Sequence, residues 1–256
     1  MKGIFRGKPS KPKYSQIWDV KVVIDYLAEM GDPEDLTLSE LTYKLVMLLA
    51  LTSPKRVSEI SRLSLASVQK HRNIWVFHLE FMNKNRGQGK PHKARFERFS
   101  DRNLCPIRTM EAYLDATMAI REDEETLIIS TIRPHKRVSS ATIAWWLKLI
   151  LGRAGVDSFY GAHSTRAAST SACRRQGLSS GAIMAAANWA TTASTFERFY
   201  HREVEESYQG KLFEDRSFGG HAAKPKTSRA PLHVAKAAKP KESSKTRPPS
   251  KKARAH

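Results

Sequence analysis

The sequence predicts an α+β fold, mainly α-helical with a small antiparallel β-sheet, and three observations predict it. Apolar residues recur at helical spacing through most of residues 18–63 and 106–208; alternation replaces that period from Trp75 to Met82; large apolar residues nearly vanish after Gly219. A repeat near 3.6 marks a helix with one buried face, and a repeat of 2 marks a half-buried strand.

Residues 1–15 are basic and rich in Pro and Gly, and read as a flexible arm. Trp18, Val22, Ile24 and Leu27 form the first helical stripe, and the Gly31-Asp-Pro33 break separates it from a second stripe of Leu41, Leu45, Leu48 and Leu49. Pro54 suits the start of a third helix carrying Arg56, Glu59, Ile60 and Leu63. Trp75, Phe77, Leu79 and Phe81 then alternate with Val76, His78, Glu80 and Met82, so the aromatic set faces inward and Lys84 falls on the outer face. Residues 85–91 are the turn, and Arg95 to Phe99 the return strand. Helices are expected at 106–118, 140–152, 164–176, 180–188 and 194–208, with a short apolar piece at Leu127 to Ile129.

Size and charge bound the rest. With 256 residues, 40% hydrophobic and 27% charged, the chain can bury one sizeable core. We therefore expect one folded domain, residues 16–218, followed by a tail at 219–256. That tail holds eight lysines and three arginines against one glutamate, or +10 of the formal +19. It has too little apolar surface to offset the entropy of ordering, and is expected to be disordered. Lys224, Lys226, Lys239, Lys241, Lys251 and Lys252 are its candidate nucleic-acid contacts. A pI near 10.1 calls for a polyanionic partner, because Lys and Arg release condensed counterions as they neutralise phosphates. Nucleic acid ranks ahead of an anionic membrane. Insertion into a bilayer needs ~20 apolar residues, and the run from Leu45 to Leu51 falls far short. No apolar secretory segment follows Met1, and Cys105 and Cys173 form neither a CxxC pair nor a disulfide framework, so an intracellular, reduced setting is expected. The nine histidines show no paired ligand spacing, and no metal or other cofactor is expected.

Four segments far apart in the chain each offer a group suited to a phosphate. His163 and Arg166 lie three apart on an expected helix, a spacing that puts two side chains on one face with Cβ atoms ~5 to 6 Å apart. Arg56 and Glu59 repeat that geometry, with the carboxylate able to orient the guanidinium. Lys84 sits at a strand end, where an ammonium can reach into a groove and protonate a leaving oxygen. Trp189 and Tyr200 would be ~16 Å apart in one unbroken helix. They converge only if the helix breaks at Thr191-Thr192-Ala193 and restarts through a capping box from Ser194 to Glu197.

The ordered set Arg56, Lys84, His163-x-x-Arg166, Trp189 and Tyr200 resembles the catalytic domain of the tyrosine recombinase, or phage integrase, superfamily. The phrases LLALTSPKRVSEISRL, LCPIRTMEAYL, AHSTRAASTSA and ANWATTASTFERFYHRE are most similar to the eukaryotic branch found in DIRS-type retrotransposons and Crypton elements. The resemblance covers roughly residues 16–208. It implies a site-specific recombinase or integrase acting in the nucleus on double-stranded DNA, as an oligomer of like chains and without a membrane partner. Tyr200 would attack a phosphate to form a 3′-phosphotyrosyl link without metal. Arg56 and Arg166 would clamp nonbridging oxygens, His163 would assist proton transfer, and Lys84 would protonate the departing 5′-oxygen. Trp189, standing where many relatives have His, would donate its indole N–H, and Glu59 would orient Arg56. Fewer than twenty residues precede the expected domain, whereas relatives carry a separate core-binding domain there.

Other readings stay open. Tyr208 competes with Tyr200 as nucleophile. Gly177 between the helices at 164–176 and 180–188 also fits a helix-turn-helix, which would suit a noncatalytic DNA-binding protein. Gly177-Leu-Ser-Ser-Gly181 matches G-x-S-x-G without the preceding strand that an acyl-hydrolase elbow needs. Ser67-Val-Gln-Lys70 matches S-x-x-K without its partner motifs.

Overall fold

A run of leucines in residues 41–51 builds the centre of the fold in this computed structural model, which describes residues 13–79, 92–187, 189, 196–197 and 200–204. Strand β1 (Gln16–Ile17) leads into α1 (Val20–Glu29), whose first turn is capped by Asp19 accepting from the Lys21 N–H. A 3₁₀ turn at Pro33–Asp35 precedes α2 (Leu38–Thr52), and Thr37 and Glu40 close a reciprocal capping box at its start. Leu41, Leu45, Leu48 and Leu49 are buried as their spacing predicts. So are most of the residues between them, because α2 packs against helices on several sides.

The stripe expected on α1 is rotated. Its buried residues are Val23 and Leu27, four apart, while Val22 and Ile24 are exposed. Trp18 and Ile17 are buried ahead of the helix, because Asp19 and not Trp18 sets where the helical turn begins. The third helix is also shorter than Pro54 suggests. The Lys55 N–H turns back to the Ser53 carbonyl, Arg56 stays extended (φ −73°, ψ 152°), and α3 is Val57–Ile60.

A 3₁₀ turn at Leu65–Ser67 opens a three-stranded antiparallel sheet in the order β2 (Val68–His71), β3 (Ile74–Leu79), β4 (His92–Glu97). The register pairs Val68 with Phe77, and Phe77 with Ala94. Trp75, Phe77, Ala94 and Phe96 make the buried face, with Phe77 and Phe96 edge to face at 6.0 Å. Strand β2 has no counterpart among the sequence expectations, because Val68 is its one strongly apolar residue. The S-x-x-K match is this turn and strand. The return strand begins three residues before Arg95 and ends two before Phe99, which itself is exposed. Lys84 and the rest of the β3–β4 connection lie outside the described residues.

The remaining helices are α4 (Pro106–Thr117), α5 (Ser140–Arg153), α6 (Ser164–Arg175) and α7 (Ser180–Ala186). Helix α4 carries Pro at its first position, and Ser139 and Ser179 cap α5 and α7. Between α4 and α5, Leu127 to Ile129 are buried as a short extended piece bridged to Ser64 and Arg137 through its flanks. Helix α6 ends in a Schellman motif. Gly177 takes φ +92°, and the Leu178 and Gly177 N–H groups cap the Cys173 and Arg174 carbonyls.

The helix expected over 194–208 is overturned at its far end. Phe196 and Glu197 are helical, Tyr200 is in a turn, and β5 (Glu203–Val204) pairs in parallel with β1, Gln16 beside Glu203. Pairing with β1 satisfies backbone groups that a longer helix would have kept to itself. None of the described helices is long and apolar enough to cross a membrane. The lysines Lys224, Lys226, Lys239, Lys241, Lys251 and Lys252, as well as Tyr208 and Ser194, lie outside the described residues.

Candidate functional site

Helix α6 positions most of the site because small side chains let it sink into the core. Every residue from Ser164 to Ala172 is buried. Trp18 reaches across from the N-terminal segment, and its indole N–H donates to Ser164 Oγ at 2.8 Å. Tyr14 does likewise one turn earlier, its hydroxyl accepting from the Gly161 N–H at 3.1 Å. His163 thus stands exposed at the N-terminal mouth of α6, with Arg166 one turn below it.

Arg166 is only 4% exposed, and its donors are poorly occupied. Nη2 donates to the Ala187 carbonyl at 3.1 Å, while Nε and Nη1 are buried without a hydrogen-bond partner among the described residues. Arg121 gives the contrast. It is also buried, but its two terminal nitrogens reach the carbonyls of Glu124, Thr126 and Leu127 and the Thr117 hydroxyl. A structural arginine uses both terminal nitrogens in this way and leaves only Nε unpartnered among the described residues; Arg166 keeps two donors in reserve. Burial lowers the Arg166 pKa to about 10, Tyr200 opposes the shift, and the neighbouring Arg56 adds to it. The group remains a cation at neutral pH, in a place where charge is weakly screened.

Arg56 enters from the start of α3, where the Glu59 carboxylate accepts its backbone N–H and lies 3.6 Å from its guanidinium. Arg56, His163, Arg166 and Tyr200 line one cleft of about 190 Å³, together with Lys55. No carboxylate is among the described residues that line it. Trp189 and Tyr200 meet, with ring centroids 4.5 Å apart and planes 29° apart, which one unbroken helix would not allow. The Arg166 guanidinium lies 4.5 Å from the Trp189 ring centre and 5.3 Å from that of Tyr200. Lys84 is the one member of the predicted set outside the described residues.

Two residues the sequence did not single out hold this arrangement. Ser171 Oγ donates to the Tyr200 carbonyl at 2.6 Å and accepts from the Arg202 N–H at 2.9 Å, which fixes the backbone on both sides of His201. Lys55 is 4% exposed, and its ammonium donates to the Ala186 carbonyl at 2.9 Å. Burial lowers its pKa to about 8, with Glu59 opposing and Arg166 adding to the shift. In the sequence Lys55 is one more charge beside Arg56, and Ser171 one hydroxyl in a run of small residues. Glu197, assigned to a capping box, has its carboxylate on Ser180 and His201.

Comparison with known proteins shows the family and the fold. The Phage integrase family matches residues 25–206, most of the chain. The chain belongs to that family. Solved structures agree on the fold of this integrase-family chain. XerA recombinase superposes with a TM-score of 0.54 at 15% identity, covering 80% of this chain and 65% of that one. XerH site-specific recombinase, in a pre-cleavage complex bound to its difH substrate, gives 0.55 at 10% identity, over 80% of this chain and 53% of that one. A lambda integrase dimer bound to a COC′ core site gives 0.51 at 14%, over 78% and 51%. The integrase-family chain thus spans about half to two thirds of their length, and its fold is that of a tyrosine recombinase catalytic domain. No curated protein matches it.

Proposed function

We propose that this chain is a site-specific DNA recombinase that cuts and rejoins strands through a 3′-phosphotyrosyl intermediate on Tyr200. The observation that carries the reading is Arg166, a buried cation with two donors unpartnered among the described residues, in the wall of a cleft that Arg56, His163 and Tyr200 share. Forked guanidinium donors fit the nonbridging oxygens of a phosphate, and their stabilising effect grows as charge concentrates there in the transition state.

In the proposed step the Tyr200 phenolic oxygen bonds to phosphorus, and the bond from phosphorus to the 5′-oxygen breaks. His163 relays the phenolic proton, and Lys84 protonates the departing oxygen. One phosphodiester replaces another, so the strand can be rejoined by the reverse attack without an external energy source. Trp189 donates its indole N–H toward the phosphate, and Glu59 holds Arg56 in place. Double-stranded DNA is the proposed substrate, bound by several copies of the chain, with the lysines and arginines of residues 219–256 as a basic anchor. The wording of the sequence around Arg56, Arg166 and Tyr200 supports an origin in eukaryotic DIRS-type or Crypton-type elements, and with it a nuclear site of action.

The test uses supercoiled plasmid, incubated with the protein without added metal or ATP and then denatured. We expect protein covalently attached to DNA, absent with Tyr200→Phe and retained with Tyr208→Phe. Adduct that survives Tyr200→Phe would move the nucleophile elsewhere. DNA binding with no adduct from any form would leave a noncatalytic DNA-binding protein.

A further inference from the structure

Helix α7 ends with carbonyls that no later helical turn can satisfy. Two buried cations from different parts of the chain take them. Lys55, just ahead of α3, donates to Ala186, and Arg166, from α6, donates to Ala187. The next turn is closed by the Trp189 N–H on the Met184 carbonyl at 2.9 Å, and the Trp189 ring then lies on Tyr200. The exit of α7 is therefore held at three points, and the stack that backs Tyr200 hangs from the last of them.

We propose that Lys55 is a positioning residue for Tyr200, its ammonium fixing the exit of α7 and through it the stack of Trp189 on Tyr200. It does not touch the proposed phosphate in this role. Its importance to cleavage rests on the recombinase reading; the link from Lys55 to Trp189 does not.

The charge on Lys55 matters because a hydrogen bond from an ammonium is roughly twice as strong as one from a neutral donor. The charged and titratable groups facing it are Glu59 from α3, Arg56 beside it, His163 and Arg166 from α6, and Tyr200. Burial is the main cause of a pKa near 8, which Glu59 opposes and Arg166 reinforces. As pH rises through that value the bond to Ala186 weakens while the arginines keep their charge. The Trp189 environment then titrates on a lysine that is adjacent to neither aromatic ring in sequence.

The test has two arms. In the first, DNA-free protein is titrated from about pH 7 to about 9.5, spanning the lowered and ordinary lysine values, and the fluorescence of Trp189 is isolated from the other tryptophans as the difference between the parent and Trp189→Phe forms. We expect a step centred near pH 8. Lys55→Met should abolish the step, and Lys55→Arg should hold the low-pH signal across the range. A step that persists unchanged in either variant, or no step in the parent chain, overturns the proposal. Where Lys55→Met does not fold, the Lys55→Arg titration decides alone.

In the second arm, single-turnover cleavage is measured at saturating DNA. Displacing a reacting group by ~1 Å can slow a reaction ~100-fold, so Lys55→Met should cost at least ~10-fold with little change in DNA affinity. Lys55→Arg should restore most of the rate. Matching falls in affinity and rate would make Lys55 a DNA-binding residue and overturn the positioning role. If no form of the protein yields an adduct, the recombinase reading fails, and the fluorescence arm still decides Lys55.

Discussion

Cations are buried here in two ways, and the difference separates scaffold from site. Lys44 is fully buried on α2, with its ammonium on the Gly31 carbonyl, and burial lowers its pKa to about 8. The folded state therefore loses the proton near pH 8, while the unfolded chain keeps it to about 10.5. Between those values the unfolded state binds more protons, so stability rises with pH. We expect the unfolding free energy to climb from about pH 8 to about 9.5, with Lys44 and Lys55 each contributing on the order of 1 to 2 kcal/mol over that span. Denaturant titrations of the parent chain and Lys44→Met check this, and an equal slope in both would refute it. The site behaves differently, because Arg166 lacks partners that an anion can supply. Arg166→Ala and Arg56→Ala should each slow single-turnover cleavage by ~10³ or more, by analogy with arginines in phosphoryl transfer. Equal falls in binding and cleavage would mark them as phosphate anchors only. The nearness of Arg56 to Glu59 and of His163 to Arg166 was legible in the sequence, because each pair lies three residues apart at a helix start. Lys55 and Ser171 were not, since their partners, Ala186 and Tyr200, come from distant segments.

At the scale of elements, legibility followed the strength of the periodic signal. Helices α2 and α4 to α7 lie within a few residues of the expected ranges, because their caps and apolar spacing agree. Strand β2 was missed for want of apolar residues, and the helix drawn to residue 208 was wrong because β5 owes its conformation to β1. The same non-local tie orients the proposed nucleophile. Ser171 reaches from α6 to the backbone on both sides of His201, between Tyr200 and β5. Leaving a buried polar group unsatisfied costs about 1 to 3 kcal/mol. Ser171→Ala should therefore loosen the Tyr200 turn and slow cleavage at saturating DNA while leaving affinity unchanged. The two measurements made together test this, and an unchanged cleavage rate would contradict it.

For the whole molecule, +10 of the formal +19 lies in residues 219–256, a concentration plain from composition alone. If those residues anchor the chain on DNA, deleting them should weaken binding to all sequences alike. The dependence of log K on log salt should flatten by ~0.9 for each phosphate that the shortened chain leaves unneutralised. Cleavage at saturating DNA should persist, because every proposed catalytic residue precedes Gly219. Salt titrations and single-turnover assays on both forms provide the check; an unchanged salt slope would remove the tail from that role. The pairing of β1 with β5 has one more consequence. Gln16 lies beside Glu203, so the first and last described strands of this fold are neighbours. Because the two strands run parallel, a connection of about a dozen residues from the end of β5 to the start of β1 would preserve the pairing, and the chain could be reopened at the exposed Glu122–Asp123 turn. Such a circular permutant of residues 16–204 should carry the same fold with its new ends at that turn, where a DNA-reading module could be fused.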